Sequence, residues 1–356
     1  MAVPKWQIKM DSTKIFFCPL SLVANSIHLT VLSQKTMRIS STNVLMIAIA
    51  VSNIFCMAVS TYSISGSFYT EASDVPGQCR PPPEYRDVVF LWLIDIVVDF
   101  CQRYSLLLGV AMAFIRTVVM RNPTGIETIS RSAFGWKTCL HVCMFCSLFS
   151  ICNVLRTQVK FFMDWRPIRI FCPGMFPSNY TKPMYYTQDT ALAEWNDRIL
   201  VYVYVFVDGV VTNIIPALLF PVLTVMLVIQ LNKFQKNRDR LFSDKKDQQG
   251  NMTTILVIVM AVVFMISALP MGLVFMVQVF FPMHTLYIVN IMNFFQFITI
   301  LTTITHFPIN FFINSQYRDT LKSLLGIKAK TVVALSMHNM SSTSSQPITV
   351  AGRRVE

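Results

Sequence analysis

Seven long apolar blocks alternate with short polar stretches along this chain. They run over Ile15–Gln34, Asn43–Ile64, Val88–Met120, Ala133–Leu155, Ile199–Leu231, Thr253–Phe281 and Thr285–Ile313. Each supplies the roughly 20 apolar residues that a helix needs to cross a bilayer core of about 30 Å. Lipid offers no water to backbone N–H and C=O groups, so single blocks of this kind are predicted as α-helices. The connections are short except for Arg156–Arg198 and the last 43 residues. The pattern therefore predicts an all-α membrane protein, one seven-helix bundle with no separate soluble domain. After the seventh block, Ser315–Gly326 sets Leu321, Leu324 and Leu325 against Arg318, Lys322 and Lys328. That is the pattern of an amphipathic eighth helix lying on a membrane surface. The resulting map has an N-terminal segment at 1–14, the bundle at 15–313, the surface helix at 315–326 and a polar tail at 327–356 expected to be disordered. Within the tail, Ser341–Ser345 is a candidate phosphorylation cluster, with plain low complexity as the alternative.

Composition agrees with the pattern. Hydrophobic residues make up 54% of the 356 and charged ones only 13%, too apolar for an ordinary soluble domain. Charge decides the orientation. With the N-terminus outside, the inner connections and tail sum to +12 and the outer ones to +2. Lys and Arg accumulate on the cytoplasmic side, so an extracellular N-terminus and a multi-pass plasma-membrane protein are expected. The basic inner side suits anionic lipid, and nothing in the chain suggests nucleic acid. The first 14 residues lack an apolar core, so the first block would serve as its own insertion signal.

The third block carries the candidate chemistry. Asp95, Asp99 and Arg103 stand at i, i+4 and i+8, within roughly 80° of one another on a helix. Charge within the membrane is costly and marks a functional site by default. Asp99 and Arg103 can pair along their helix, and Asp208 enters the fifth block at a depth from which it can reach Arg103. Two readings follow: a pocket for a polar or charged ligand, or an ion network that only fixes packing. Arg116 lies roughly 20 Å further along the same helix. A second polar set, Asn25, His28, Asn53, Asn290, Asn293, Gln296, His306 and Asn310, reads mainly as hydrogen-bonding contacts between helices. No metal-ligand spacing is present, and no cofactor is expected. Cys79 and Cys172 are the two loop cysteines, both on the expected outer side, where a pair reads as a disulfide with free thiols as the alternative. Asn179-Tyr180-Thr181 is a glycosylation sequence in the same outer loop.

Three stretches carry a family pattern. They are Asn25-Ser-Ile-His28 running on to Lys35-Thr-Met37-Arg38, then Ala113-Phe-Ile-Arg116 with Asn122-Pro123, and His306-Phe-Pro308 followed by Ser315-Gln-Tyr-Arg318. Phe264 and Leu269-Pro270-Met-Gly272 add to them. In this order they resemble rhodopsin-like seven-helix receptors, and more closely the nematode serpentine receptor class w chemoreceptors, which look like FMRFamide-type peptide receptors. The resemblance implies that Arg116 is the arginine that meets a G protein and that Pro123 is the proline following it. It also implies that Phe264 and Pro270 form the sixth-helix switch, that His306 and Pro308 belong to the seventh-helix motif, and that Cys79 and Cys172 form the outer disulfide. The chain departs from the pattern too. Ile115 and Thr117 replace the acid and the Tyr flanking Arg116, Asn53 replaces a sodium-binding Asp, and Ala268 replaces the helix-six Trp. Phe307 and Phe311 replace the Asn and Tyr around Pro308. A missing restraint on Arg116 implies raised basal activity.

The sequence thus points to a G-protein-coupled receptor, not an enzyme, taking an extracellular peptide or a small polar cue and acting on a heterotrimeric G protein from the lipid bilayer. Asp95, Asp99, Arg103 and Asp208 are the candidate ligand residues. A ligand-gated channel or transporter is the alternative of another class, although the expected internal repeat symmetry is missing.

Overall fold

The computed structural model describes residues 5–71, 79–121, 126–168, 172–177, 179–241, 262, 265–266, 268–281 and 285–326. Its helices are α1 (Lys5–Leu32), α2 (Ser41–Glu71), α3 (Tyr85–Arg121), α4 (Ile126–Ser130), α5 (Ser132–Arg156), α6 (Ala191–Asp208), α7 (Ile215–Leu241), α8 (Ala268–Phe280), α9 (Thr285–Ile313) and α10 (Ser315–Leu324). A π-helical turn over Gly209–Ile214 joins α6 to α7, so the two form one span. Among the described residues, five helical stretches are long and apolar enough to cross a bilayer, and α9 makes a sixth when its 94° bend against α10 is counted. Most of the sixth apolar block before Ala268, Phe264 included, lies outside the described residues. So do Pro123 and the tail from 327 onward.

Helix α2 is central and packs on α1, α3 and α5, while α3 also meets α7. Val31, Leu45, Leu108 and Met112 form the main core with Tyr317 of α10, which is fully buried. Burying side chains of this size stabilises by roughly 1.5–3 kcal/mol each. The outward faces stay apolar, as on α5, where Trp136, Leu140, Leu148 and Leu155 are each more than half exposed. Such a face suits lipid tails rather than water.

Arg156–Arg198, read from the sequence as a long loop, holds an antiparallel hairpin of β1 (Thr157–Trp165) and β2 (Lys182–Asp189). The strands pair Thr157 with Asp189 and Trp165 with Lys182, with an irregularity between Phe161 and Met163. Their Val, Phe, Tyr and Thr content favours extended backbone, but the alternation is too short and broken to stand out beside the apolar blocks. Cys79, before α3, is bonded to Cys172 beyond β1. Trp92 Nε1 donates to Thr157 Oγ1 at 2.9 Å, so α3 and the hairpin are tied twice.

Two local features shape the α6–α7 span. At its start Asn196, Asp197 and Arg198 have φ of 52°, 53° and 63°. Left-handed backbone costs a non-glycine residue roughly 1–2 kcal/mol, and here the Arg198–Asp189 ion pair holds it in place. Regular helix therefore resumes at Ile199, where the fifth apolar block begins. Further along, the π-turn is pressed against α8. A Cβ on Gly272 would lie 2.6 Å from Ile214 Cγ1, and one on Gly209 would lie 2.8 Å from Phe275 Cβ. Only glycine on both sides permits that approach.

Candidate functional site

Helix α3 carries the charged cluster into the centre of the bundle. Arg103 and Asp208 are both buried, at 9% and 8% exposure, and pair through Nε–Oδ1 at 2.9 Å and Nη2–Oδ2 at 3.3 Å. The carboxylate is in turn fixed by its own turn of chain. Thr212 Oγ1 donates to Asp208 Oδ1 at 3.1 Å and to its carbonyl oxygen at 2.6 Å. Asp99 Oδ2 stands 3.7 Å from Arg103 Nη2, but its side chain is 48% exposed. Arg103 Nη2 also donates to Tyr204 Oη at 3.3 Å, and Tyr204 Oη donates to the Phe149 carbonyl at 3.4 Å. Arg156, the last residue of α5, lays its guanidinium over the Tyr204 ring at 4.9 Å and donates from Nη2 to Asn153 Oδ1 at 3.0 Å. Two Asp and two Arg thus meet around one tyrosine. Arg103 Nη1 and Arg156 Nε are buried without a hydrogen-bond partner.

These groups border a cavity of about 530 Å³ lined by α2, α3, α5, α6, the π-turn, α7, α8 and α9. That volume is of the order typical for ligand sites, about 300–1,000 Å³. Asp99, Arg103, Arg156 and Asp208 line the end nearer the hairpin, and Asn293 and Gln296 join them from α9. Because Asp99 lines the cavity, its exposure is toward that space. Asp95, one turn away, is also exposed, but it is not among the residues that line the cavity. The structure therefore brings Asp99, Arg103 and Asp208 together and leaves Asp95 apart. Arg156 and Tyr204 join the cluster, although the sequence pattern did not single them out. The one available signal was a cation closing the fourth apolar block at a depth similar to Asp99.

Toward the other end runs a seam of neutral polar groups. Ser21 and Thr303 share a hydrogen bond of 2.6 Å, and Asn25 Nδ2 donates to the Ser21 carbonyl at 2.9 Å. Asn53 Nδ2 donates to Asn25 Oδ1 at 3.3 Å, and Asn53 Oδ1 accepts from Ser105 Oγ at 3.1 Å. Four helices are joined by this chain of uncharged groups. Lower still, His28 Nδ1 lies 3.0 Å from Tyr317 Oη, which anchors α10 under α1. Pro308 lies within α9, and His306 lines the cavity there. Arg116 is half-buried near the far end of α3, with no ion pair among the described residues. Its neighbour Thr117 donates to the Ala113 and Leu223 carbonyls at 2.8 and 3.2 Å, joining α3 to α7. Pro270 is half-buried on α8. Asn179 is exposed beyond the hairpin's first strand, open to modification. Among the described residues no group of three His, Cys, Asp or Glu is placed to hold a metal ion.

A family model described as "Serpentine type 7TM GPCR chemoreceptor Srw" matches residues 12–328. The chain is also 24% identical over 245 residues to the G-protein coupled receptor dmsr-1 of Caenorhabditis elegans. That match covers 67% of this chain and 46% of the relative, so the chain spans about half of that protein's length.

Proposed function

The chain belongs to the serpentine class w family of seven-helix G-protein-coupled chemoreceptors, and we propose that it is a peptide receptor of the plasma membrane. In this reading the N-terminus and the hairpin face outside, and the ligand enters the cavity from the hairpin end. Asp99, Arg103 and Asp208 contact it or set its position, while Asp95 lies at the rim. The opposite end, with Arg116, Pro270, His306 and Pro308, admits a heterotrimeric G protein. Pro123 and Phe264 would act there too. The observation that carries the proposal is Asp99, a carboxylate open to the cavity beside a closed Arg103–Asp208 pair, at the end nearer the disulfide-tied hairpin. A cationic ligand group has a partner there without any buried pair having to open. Likeness to a G-protein coupled receptor at 24% identity supports the signalling half.

A screen of peptides and small polar odorants for G-protein activation, run in parallel on cells expressing the full chain, tests the function. Activation by peptides is expected, and a response to odorants alone would replace the peptide reading by the chemosensory one. That second reading is favoured by the four charges gathered in 530 Å³. An epitope tag at the N-terminus tests the orientation: staining of intact cells is expected, and staining only after permeabilisation would overturn it.

A further inference from the structure

The cavity is deep, and three helices give its depth independently. On α3 its lining runs from Asp99 to Met112, on α9 from Met292 to His306, and on α8 from Gln278 to Ala268. At about 1.5 Å per residue these stretches span roughly 15–20 Å. The cavity is therefore a shaft that runs along much of the bundle. Its chemistry changes along the way. The hairpin end carries Asp99, Arg103, Arg156 and Asp208, whereas the far end is bordered by Asn53, Ser105, Met112, Thr305 and His306, with no Asp, Glu, Lys or Arg among the described lining residues. Ala268 is buried at 3% exposure and presents only a methyl group where α8 borders the shaft. A large side chain there would divide the space in two.

We infer that the shaft is a binding site for an elongated ligand, with a cationic head at Asp99 and a slim uncharged tail that passes Ala268 and ends beside Met112. The inference rests on reading the cavity as the ligand site, and it names the ligand's shape and charge pattern. Asp99 supplies the half-exposed negative charge, while Asp208 engages Arg103 through Nε and Nη2. The deep end offers hydroxyl and amide groups that are partly engaged with one another, so a charged tail would be left unpaired while an apolar or amide-bearing one would not. The tail comes to rest one helical turn before Arg116, at the place where α3 leads to the far end of the bundle.

The probes are ω-trimethylammonioalkyl methanethiosulfonates with two-carbon and twelve-carbon chains, applied outside intact cells that express the full chain with Met112→Cys. Modification is read at each thiol by mass spectrometry. Cys146, buried and absent from the cavity lining, serves as the unreactive reference. The thiol introduced at position 112 is expected to react at least tenfold faster with the long reagent than with the short one. The long reagent rests its ammonium at Asp99 while its reactive end reaches that thiol. Asp99→Asn should remove that advantage, which separates head recognition from simple partitioning into the bilayer. Ala268→Trp should slow the long reagent at least tenfold. If Ala268→Trp does not reach the surface, the Asp99→Asn comparison still decides. Reaction at position 112 no faster than at Cys146, or a chain-length advantage that survives Asp99→Asn, overturns the inference. None of these rates requires a G protein, so a failed activation screen with these rates intact would remove the receptor reading and leave the shaft.

Discussion

Replacing Arg103 should be the most damaging single change at the charged cluster, and its effect can be separated from loss of ligand contact. Arg103→Gln leaves the Asp208 carboxylate 8% exposed, with the Thr212 hydroxyl as its remaining donor. Removing one partner of a buried pair costs about 3–5 kcal/mol, because the other charge stays buried and uncompensated. Asp208→Asn should cost less, since Arg103 keeps Asp99 at 3.7 Å as a second counter-charge. Asp99→Asn should cost at most about 1 kcal/mol, because its carboxylate is half exposed and its pairing is screened. The decisive variant is the double replacement Arg103→Met with Asp208→Leu. Apolar side chains of similar volume often leave stability unchanged or raise it by about 1–4 kcal/mol, so the double variant should melt near or above the wild type. The assay is thermal unfolding of the detergent-purified full chain with a thiol-reactive fluorophore. Cys18, Cys56, Cys101, Cys139 and Cys146 are buried and become reactive on unfolding. Surface expression and G-protein activation are read on the same variants. An Arg103→Gln variant that melts like the wild type would refute the argument, and so would a double variant that melts below either single one.

Gly272→Val should destabilise by about 1–3 kcal/mol through overpacking, since even a bare Cβ would meet Ile214 Cγ1 at 2.6 Å; the same unfolding assay reads it. Cys79→Ser breaks a bond joining positions 93 residues apart and should cost roughly 2–5 kcal/mol, with weaker ligand response as the hairpin keeps only its Trp92–Thr157 tie to α3. Tyr317→Phe keeps the buried ring but leaves His28 Nδ1 without its partner at 3.0 Å, for a loss of about 1–3 kcal/mol. Tyr317→Ala empties a fully buried position and should cost about 3–5 kcal/mol, as large aromatic truncations do. Melting of both variants at the wild-type temperature would show that α10 is not anchored through this side chain.

Much of this architecture is legible in the sequence because membrane solvation makes it so. A span must be apolar over its whole length, and Thr285–Ile313 appears as a helix with the bounds its hydropathy sets. The same rule makes Asp99, Arg103 and Asp208 conspicuous, and the structure brings these three into contact. Asp95 shows where the rule stops. Helical spacing places it on the face of Asp99 and Arg103, but a stripe of roughly 80° is wide enough for one member to miss the shaft. Arg156 and Tyr204 illustrate the converse. Neither is unusual by type or position, and only the approach of α5 to α6 brings them together. The hairpin was hidden for another reason. Nine residues such as Thr157–Trp165, with a bulge at Phe161 and Met163, do not sustain a two-residue alternation. The paired glycines 209 and 272 become informative only once two helices are seen to touch.

The charged head of a ligand cannot by itself drive the receptor between two states. Moving an equilibrium from 1:99 to 99:1 requires about 5.5 kcal/mol of differential binding, and a half-exposed carboxylate such as Asp99 contributes at most about 1 kcal/mol to an ion pair. The remaining ~4.5 kcal/mol corresponds to roughly 180 Å² of apolar surface at about 25 cal/mol per Å². Among the described lining residues, the deep part of the shaft bordered by Met112 and Ala268 offers a place to bury it. If burial there differs between the two states, the tail rather than the head supplies the switching energy, because a ligand shifts an equilibrium only by its difference in affinity for the two arrangements. A ligand shortened at the tail should therefore still compete for Asp99 yet give only partial G-protein activation, whereas one neutralised at the head should lose potency and keep full efficacy. Concentration–response curves for the two modifications of one agonist separate these effects, and a loss of efficacy that follows the head instead would place the switch at the Arg103–Asp208 pair.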